Sequence, residues 1–460
     1  MFKSKVSILS VAMALGLAGC SGEKPAVVIP SVGVQSFYFS NDNITNHLSP
    51  LLIGTVPLEE NDERQLLAKV WYPAVGYPDE KTRFYYGYHT EEYNLPIDPN
   101  DKESIEFFNN NKVKSLSYQN AKPLNKRYPV IVYSHGLAGN VEDNEPYFES
   151  LVEQGYVVVS VGHTYEAGFV NFAPGKYALF DEDYAEHANN TTLPEDEIDH
   201  SMLISDEDLL MLGSISAGEP IPVELLKRYF YSEGNVKTGE RAHLDLWVED
   251  INFVLSELEK INQGIIQSDL KGIFDLTTIG AAGHSYGGAT ARRFCNQEAN
   301  CLASVHLDGD IYELYEEKIV NPHMSLSADV NGWVAAQIRN NEEFAAQYMA
   351  ATQEEIAEMK AEIEIYFSAY KNAHIYSADS DIVLFSPKSI SHADFHTRWI
   401  NYHEDGLGKV IWHDIIESSS AAFFNSYLKD NTGVAKHPTD KLCALLLDGN
   451  IEPYYNTLCD

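Results

Sequence analysis

Leu276-Thr277-Thr278-Ile279-Gly280-Ala281-Ala282-Gly283-His284-Ser285-Tyr286-Gly287-Gly288-Ala289 is the stretch that decides the fold. Its first half, Leu276 to Ala282, predicts a strand. Gly283 and Gly287 then bracket His284-Ser285-Tyr286, and a helix-compatible run follows from Gly288 to Asn296. This is the G-x-S-x-G pattern of a nucleophile elbow, where a serine sits on a cramped turn between strand and helix. Its Oγ must project at the sheet edge, so the backbone passes close to itself and only small residues suit positions 283 and 287. The pentapeptide alone is common by chance; the strand before it and the helix-compatible run after it give it weight. Ser285 is the candidate nucleophile.

The surrounding chain alternates apolar runs with turns. Strands are predicted at Leu66–Tyr72, Tyr128–Tyr133, Tyr156–Val161, Leu302–Leu307, Met324–Leu326 and Ile382–Phe385. Helical periods run over Glu145–Gln154, Asp245–Ile261 and Ile411–Leu428. Strands alternating with helices imply an α/β fold with a mostly parallel sheet covered on both faces. In the α/β-hydrolase arrangement, the loop after an early strand supplies one amide of an oxyanion hole and the residue after the nucleophile supplies the other. Ser134-His135-Gly136-Leu137 ends the Tyr128 strand, which nominates the amides of Leu137 and Tyr286. His135 reads as a residue that holds this loop. Arg241 and Asp250 flank the start of the helix before the nucleophile strand and read as a structural ion pair.

The base follows the nucleophile in the order Ser, acid, His. His392, in Ser391-His392-Ala393-Asp394-Phe395, lies in the expected loop after a last strand; His396 and His403 are the alternatives. Pattern leaves the acid open among Asp308, Asp310 and Asp329. Two insertions, 164–240 and 333–375, interrupt the strand–helix rhythm, and segments of this kind build lids or pocket walls. Acids at 354, 355, 358, 362 and 364 read as a solvated helix face.

These motifs resemble those of plasma-type platelet-activating factor acetylhydrolases and their bacterial relatives. The matching pieces are Lys69-Val70-Trp71-Tyr72-Pro73, Tyr133-Ser134-His135-Gly136-Leu137, Gly283 to Thr290, Leu307-Asp308 and Ser391 to Phe395. Ser418 to Leu428 resembles the family's last helix. The resemblance spans roughly residues 65–430 and implies that Asp308 is the acid. It also implies a serine carboxylic-ester hydrolase acting on short-acyl lipids or related esters through Ser285, Asp308 and His392, with no cofactor or metal. A polyester hydrolase or peptidase on the same fold is a second expectation, and an inactive surface lipoprotein a third. The two insertions depart from the family pattern and bear on the acyl pocket.

The N-terminus, MFKSKVSILSVAMALGLAGCS, has Lys3 and Lys5 before an apolar stretch too short to span a membrane. Leu17-Ala18-Gly19-Cys20 resembles the lipobox of bacterial lipoproteins, which implies a signal peptide over 1–19 and lipidation of Cys20. Ser21, rather than an aspartate, follows and implies the outer membrane of a Gram-negative envelope. Residues 20–35 read as a tether and 36–460 as one domain. Of the five cysteines, four follow Cys20: Cys295, Cys301, Cys443 and Cys459. An even number in an exported chain suggests two disulfides of undetermined connectivity, 295–301 and 443–459 being the close pairs. No CxxC pair or clustered His/Cys spacing suggests zinc. The formal charge of −36, from 68 acids against 32 bases, argues against a nucleic-acid partner. With 44% hydrophobic residues the chain can still bury a core.

Overall fold

Buried β-branched runs such as Val157-Val158-Val159 have room for side chains only where both sheet faces are covered, and they occupy the middle of a mixed sheet. The computed structural model describes residues 30–45, 63–75, 83–86, 113–173, 176–181, 193–215, 220–232, 238–309, 318–328, 338, 342–377, 379–387, 390–396, 407–429 and 453–456. The chain enters through β1 (Pro30–Thr45), β2 (Glu63–Val75), β3 (Arg83–Tyr86) and β4 (Val113–Gln119). Then come β5 (Tyr128–Ser134), α1 (Glu145–Glu153), β6 (Val157–Gly162) and a hairpin of β7 (Phe169–Ala173) with β8 (Lys176–Leu179). Helices α2 (Asp206–Ser214), α3 (Val223–Phe230) and α4 (Thr238–Gln263) precede β9 (Phe274–His284), α5 (Tyr286–Gln297), β10 (Cys301–Leu307) and β11 (His323–Leu326). The chain closes with α6 (Glu342–Met349), α7 (Gln353–Ser377), β12 (Ile382–Pro387), α8 (Leu407–Phe424) and β13 (Pro453–Asn456).

Eleven strands form one sheet in the order β13-β12-β11-β10-β9-β5-β6-β2-β1-β4-β3. The central run from β6 through β5, β9, β10 and β11 to β12 is parallel. β2 joins it antiparallel beside β6, and β13 antiparallel beside β12. One face packs on α1 and α8, where Phe148, Leu151, Trp412, Ile416 and Phe424 are buried with Trp71 and Val305. The other packs on α4 and α5, through Val248, Ile251, Val254, Leu258 and Phe294. The α/β class read from the sequence is the class observed.

One boundary differs from expectation. β1 starts at Pro30, so residues 30–35 belong to the sheet and not to the tether assigned to 20–35. Val32 and Val34 pack on one face while Phe37 and Phe39 pack on the other. Because both faces are covered, the apolar positions change parity along the strand and no single alternation marks it. Cys295 and Cys301 are joined, linking the end of α5 to the start of β10. The leader, Cys20, Cys443 and Cys459 lie outside the described residues.

The two insertions fold against each other. Leu212, Leu225, Leu226, Tyr229 and Phe230 from the first share a core with Ala369, Tyr370 and Ala373 from the second. The Ile221 amide donates to Asn372 Oδ1 at 3.0 Å. The acids at 354, 355, 358 and 362 line the exposed first half of α7, while its second half is buried.

Asp250 on α4 is paired with a residue distant in sequence, while the side chain of Arg241 lies outside the described residues. Arg64 of β2 donates to both its carboxylate oxygens, at 2.7 and 2.8 Å, with both residues buried. Burial pushes the Asp250 carboxyl up, but Arg64 and His163 outweigh it and hold it below the ordinary value. Removing one member of such a pair strands a buried charge, so Arg64→Ala should cost about 3–5 kcal/mol in chemical denaturation. Arg127→Ala, which removes an exposed contact to Asp275 at 3.7 Å, should cost less than about 1 kcal/mol. Equal costs for the two would contradict this account.

Candidate active site

The elbow is built by close backbone approach. A Cβ on Gly283 would lie 2.0 Å from the Gly287 carbonyl oxygen, and a Cβ on Gly287 would lie 2.2 Å from the carbonyl oxygens of both Ser134 and His135. Ser285 between them has φ +56° and ψ −128°, a conformation non-glycine residues rarely adopt. It is held by its own amide, which donates to Leu307 O at 2.9 Å, and by its carbonyl, which accepts from the Gly288 amide at 2.8 Å. Tyr286 then starts α5, which places its amide at the positive end of the helix dipole. Gly136 passes so near that a Cβ there would sit 3.0 Å from Ser285 Cβ. Leu137, the other candidate oxyanion donor, follows directly and is exposed.

Asp308 and His392, 84 residues apart, meet at the same edge. His392 Nδ1 lies 2.5 Å from Asp308 Oδ2, while Asp308 Oδ1 accepts the Ala328 amide at 2.6 Å. An ionised carboxylate can only accept, so this contact assigns the proton to Nδ1 and leaves Nε2 as the ring's acceptor. Asp308 itself has φ +49°, and its amide donates to Leu326 O at 2.8 Å, so the residue turns out of β10 while tied to β11. Asp310, Asp329 and His403 lie outside the described residues.

The loop carrying His392 is anchored from both ends. Ser391 and Asp394 form a reciprocal cap, with Asp394 Oδ2 accepting from the Ser391 amide at 2.9 Å and its hydroxyl at 2.8 Å. Phe395 is buried edge-on against Trp412. His284, the variable residue of the elbow, contributes a part that the motif does not announce. Its Nε2 donates to the His392 carbonyl at 3.2 Å, and its ring lies between those of His392 and His396, with centroids at 4.5 and 4.1 Å. His396 faces Asp143 at 3.7 Å, away from Asp308.

Behind the oxyanion loop is a buried polar network that spacing did not reveal. His135 Nδ1 donates to Gly136 O at 2.7 Å, and its Nε2 accepts the His163 amide at 3.1 Å. These bonds hold the loop. His163 Nδ1 donates to Asp250 at 2.8 Å while its Nε2 accepts from Ser134 Oγ at 3.0 Å. Ser134, His163 and Asp250 thus reproduce a serine–histidine–aspartate relay, but all three are buried and no substrate reaches them. Trp247 stacks on His163 at 3.9 Å and meets Tyr286 edge-on at 4.9 Å, so this network supports both candidate oxyanion donors.

Three of these histidines are held neutral. Burial, reinforced by His163, lowers His135 to about 3. Burial also lowers His163 despite Asp250, and it lowers His284 well below the ordinary value, with help from His396 and His392. All three folded-state pKa values therefore lie below the unfolded value of about 6.5. Their neutral forms cost nothing above that pH; below it the unfolded chain binds protons that the folded chain refuses. Stability should fall as pH drops from about 6.5, by up to about 1.4 kcal/mol per pH unit per histidine, until the folded pKa is reached. Urea midpoints that stay flat between about pH 7.5 and about pH 5 would refute this.

No protein-family model matches the chain. Among solved structures, the ferulic acid esterase from Streptomyces cinnamoneus is similar, with a TM-score of 0.55 and 16% identity over 92% of this chain and 96% of that one. A likeness this extensive in coverage and this low in identity is a likeness of fold: a mostly parallel central sheet flanked by helices, shared with an esterase structure.

Proposed function

We propose that this protein is a serine carboxylic-ester hydrolase in which Ser285 is the nucleophile, His392 the base and Asp308 the acid. The observation behind it is the 2.5 Å contact of His392 with Asp308 beside a serine held at φ +56° on an elbow. In the mechanism, His392 Nε2 takes the Ser285 hydroxyl proton as Oγ attacks the ester carbonyl carbon. The carbonyl oxygen becomes an oxyanion, stabilised by the amides of Leu137 and Tyr286 and the start of α5. His392 passes its proton to the leaving alcohol, and an acyl-enzyme remains. Water then attacks that acyl carbon, giving a proton to His392 as it does so. The collapsing intermediate releases the acid, and Ser285 Oγ recovers the proton. Asp308 keeps the imidazole in the required tautomer and stabilises its charged form.

The fold neighbour is an esterase, and the motifs resemble those of plasma-type platelet-activating factor acetylhydrolases. Short-acyl lipids or related esters are therefore the substrate class proposed. Tyr370 of α7 donates to the carbonyl of Gly309, next to the acid, so the insertions bear on the same edge as the reacting groups.

On p-nitrophenyl esters of graded chain length, Ser285→Ala should lower kcat by on the order of 10⁶. Asp308→Asn should lower it by on the order of 10⁴, through the wrong tautomer. Labelling by an active-site phosphonate should disappear in Ser285→Ala. Undiminished hydrolysis by that variant would sink the assignment, and an Asp308→Asn enzyme as active as wild type would sink the choice of acid.

We also propose that Cys20 carries lipid and that this lipid holds the enzyme at an envelope membrane, the outer membrane on the ground that Ser21 follows Cys20. The body's charge repels anionic head groups, so attachment rests on the acyl chains. Fractionation of cells expressing Cys20→Ser should move the protein from membranes to the soluble fraction. Continued membrane association of that variant would count against lipidation.

A further inference from the structure

We propose that His306, His323 and His374 form a buried site for one divalent transition-metal ion, with zinc the best match in ligand type. Their ligand-capable nitrogens all lie within 4.8 Å of one another. The site sits on the sheet face opposite α1 and α8. His306 is on β10, His323 on β11 and His374 on α7, so the ligands come from three elements far apart in sequence. That separation is why no ligand spacing is visible in the sequence. The parallel register places Ser304 beside His323 and His306 beside Ser325, which alternates histidine with serine across the two strands.

The outer shell has the form that a histidine metal site requires. Each ring's Nδ1 is engaged: His323 with Ser304 Oγ at 2.8 Å, His306 with Ser325 Oγ at 3.1 Å, and His374 with the Tyr370 carbonyl at 3.2 Å. Such bonds set the tautomer and orient the ring, leaving Nε2 as the atom to offer. His323 is fully buried, and its Nε2 has no hydrogen-bond partner among the described residues. Burial, with the neighbouring imidazoles and Arg292, holds His323 and His374 well below the usual histidine range. The neutral imidazole so favoured is the ligating form.

Three nitrogens at about 2.0–2.1 Å from a tetrahedral ion stand about 3.4 Å apart, so binding needs the cluster, now within 4.8 Å, to contract by up to about 1.4 Å. The nearby Arg292 disfavours an added cation, and a fourth ligand of negative charge, hydroxide or chloride, offsets it. Closed off from solvent, the ion is structural. It joins α7 of the second insertion to β10 two residues before Asp308, clamping that insertion to the acid's strand.

The test uses the full chain, stripped with a chelator and then dialysed against zinc or cobalt. Elemental analysis should find one equivalent of zinc, and cobalt should give the visible absorption of a tetrahedral site. His323→Ala and His374→Gln should each lose that equivalent. His200→Ala, which removes an exposed histidine near Glu195, should keep it, as should Ser285→Ala whatever its activity. A wild-type chain that takes up no zinc and no tetrahedral cobalt overturns the proposal without reference to any variant. Zinc retained by folded His323→Ala and His374→Gln, or lost in His200→Ala, overturns it as well.

Discussion

The contact on which the rest depends is backbone against backbone at Gly287. The first turn of α5 is pressed onto the carbonyls of Ser134 and His135, with no room for a methyl group. Parallel pairing of β5 with β9 brings Ser134 opposite Gly283 and so creates the approach. From this one constraint follow the positive φ of Ser285, the start of α5 at Tyr286 and the nearness of Gly136 and Leu137. A serine at that φ costs on the order of 1–3 kcal/mol, which the surrounding structure must offset. The bond from the Ser285 amide to Leu307 O does part of this and ties the elbow to the strand that ends at Asp308. The strain at Ser285 and the positions of Ser285 and Asp308 are therefore one geometric problem.

The buried set Ser134, His163 and Asp250 and the set proposed from Ser285, His392 and Asp308 differ in burial. Ser134, His163 and Asp250 are sealed in, and Arg64 already neutralises the carboxylate from the far side. Asp250 is thereby committed to Arg64, and His163 to supporting β5 and its exit loop. Asp308 and His392 are only partly covered, with side-chain exposures of 11% and 30%. Access to solvent distinguishes this histidine–aspartate pair from the buried one.

Much of this was legible in the sequence because the constraint is local. Gly283 to Gly287 encodes the elbow in five residues, and β5, β6 and β9 announce themselves as buried runs. The loop of His392 could be placed at the sheet edge from its position after β12. Features made by distant residues were not legible. Asp250 pairs with Arg64, 186 positions away. The role of His284 depends on a loop that starts more than 100 residues later. β1 escaped detection from residue 30 because its apolar residues serve both faces. The histidine cluster escaped because register, and not spacing, assembles it.

The insertions show how the core's constraints reach the rest of the molecule. Neither insertion closes a core alone at the shared layer: the buried residues of α2 and α3 require Ala369, Tyr370 and Ala373 of α7. The buried half of α7 is in turn fastened to the turn after Asp308 by Tyr370, whose hydroxyl donates to Gly309 and stands 3.4 Å from His306. Lifting α7 from the sheet would break that bond and expose three buried imidazoles. The helix layer thus cannot shift independently of the strand end that carries Asp308. On the function proposed above, a wall so coupled would shape what approaches the reacting groups while leaving the elbow unchanged, so substrate choice would belong to α2, α3 and α7 and the chemistry to the sheet edge beneath them.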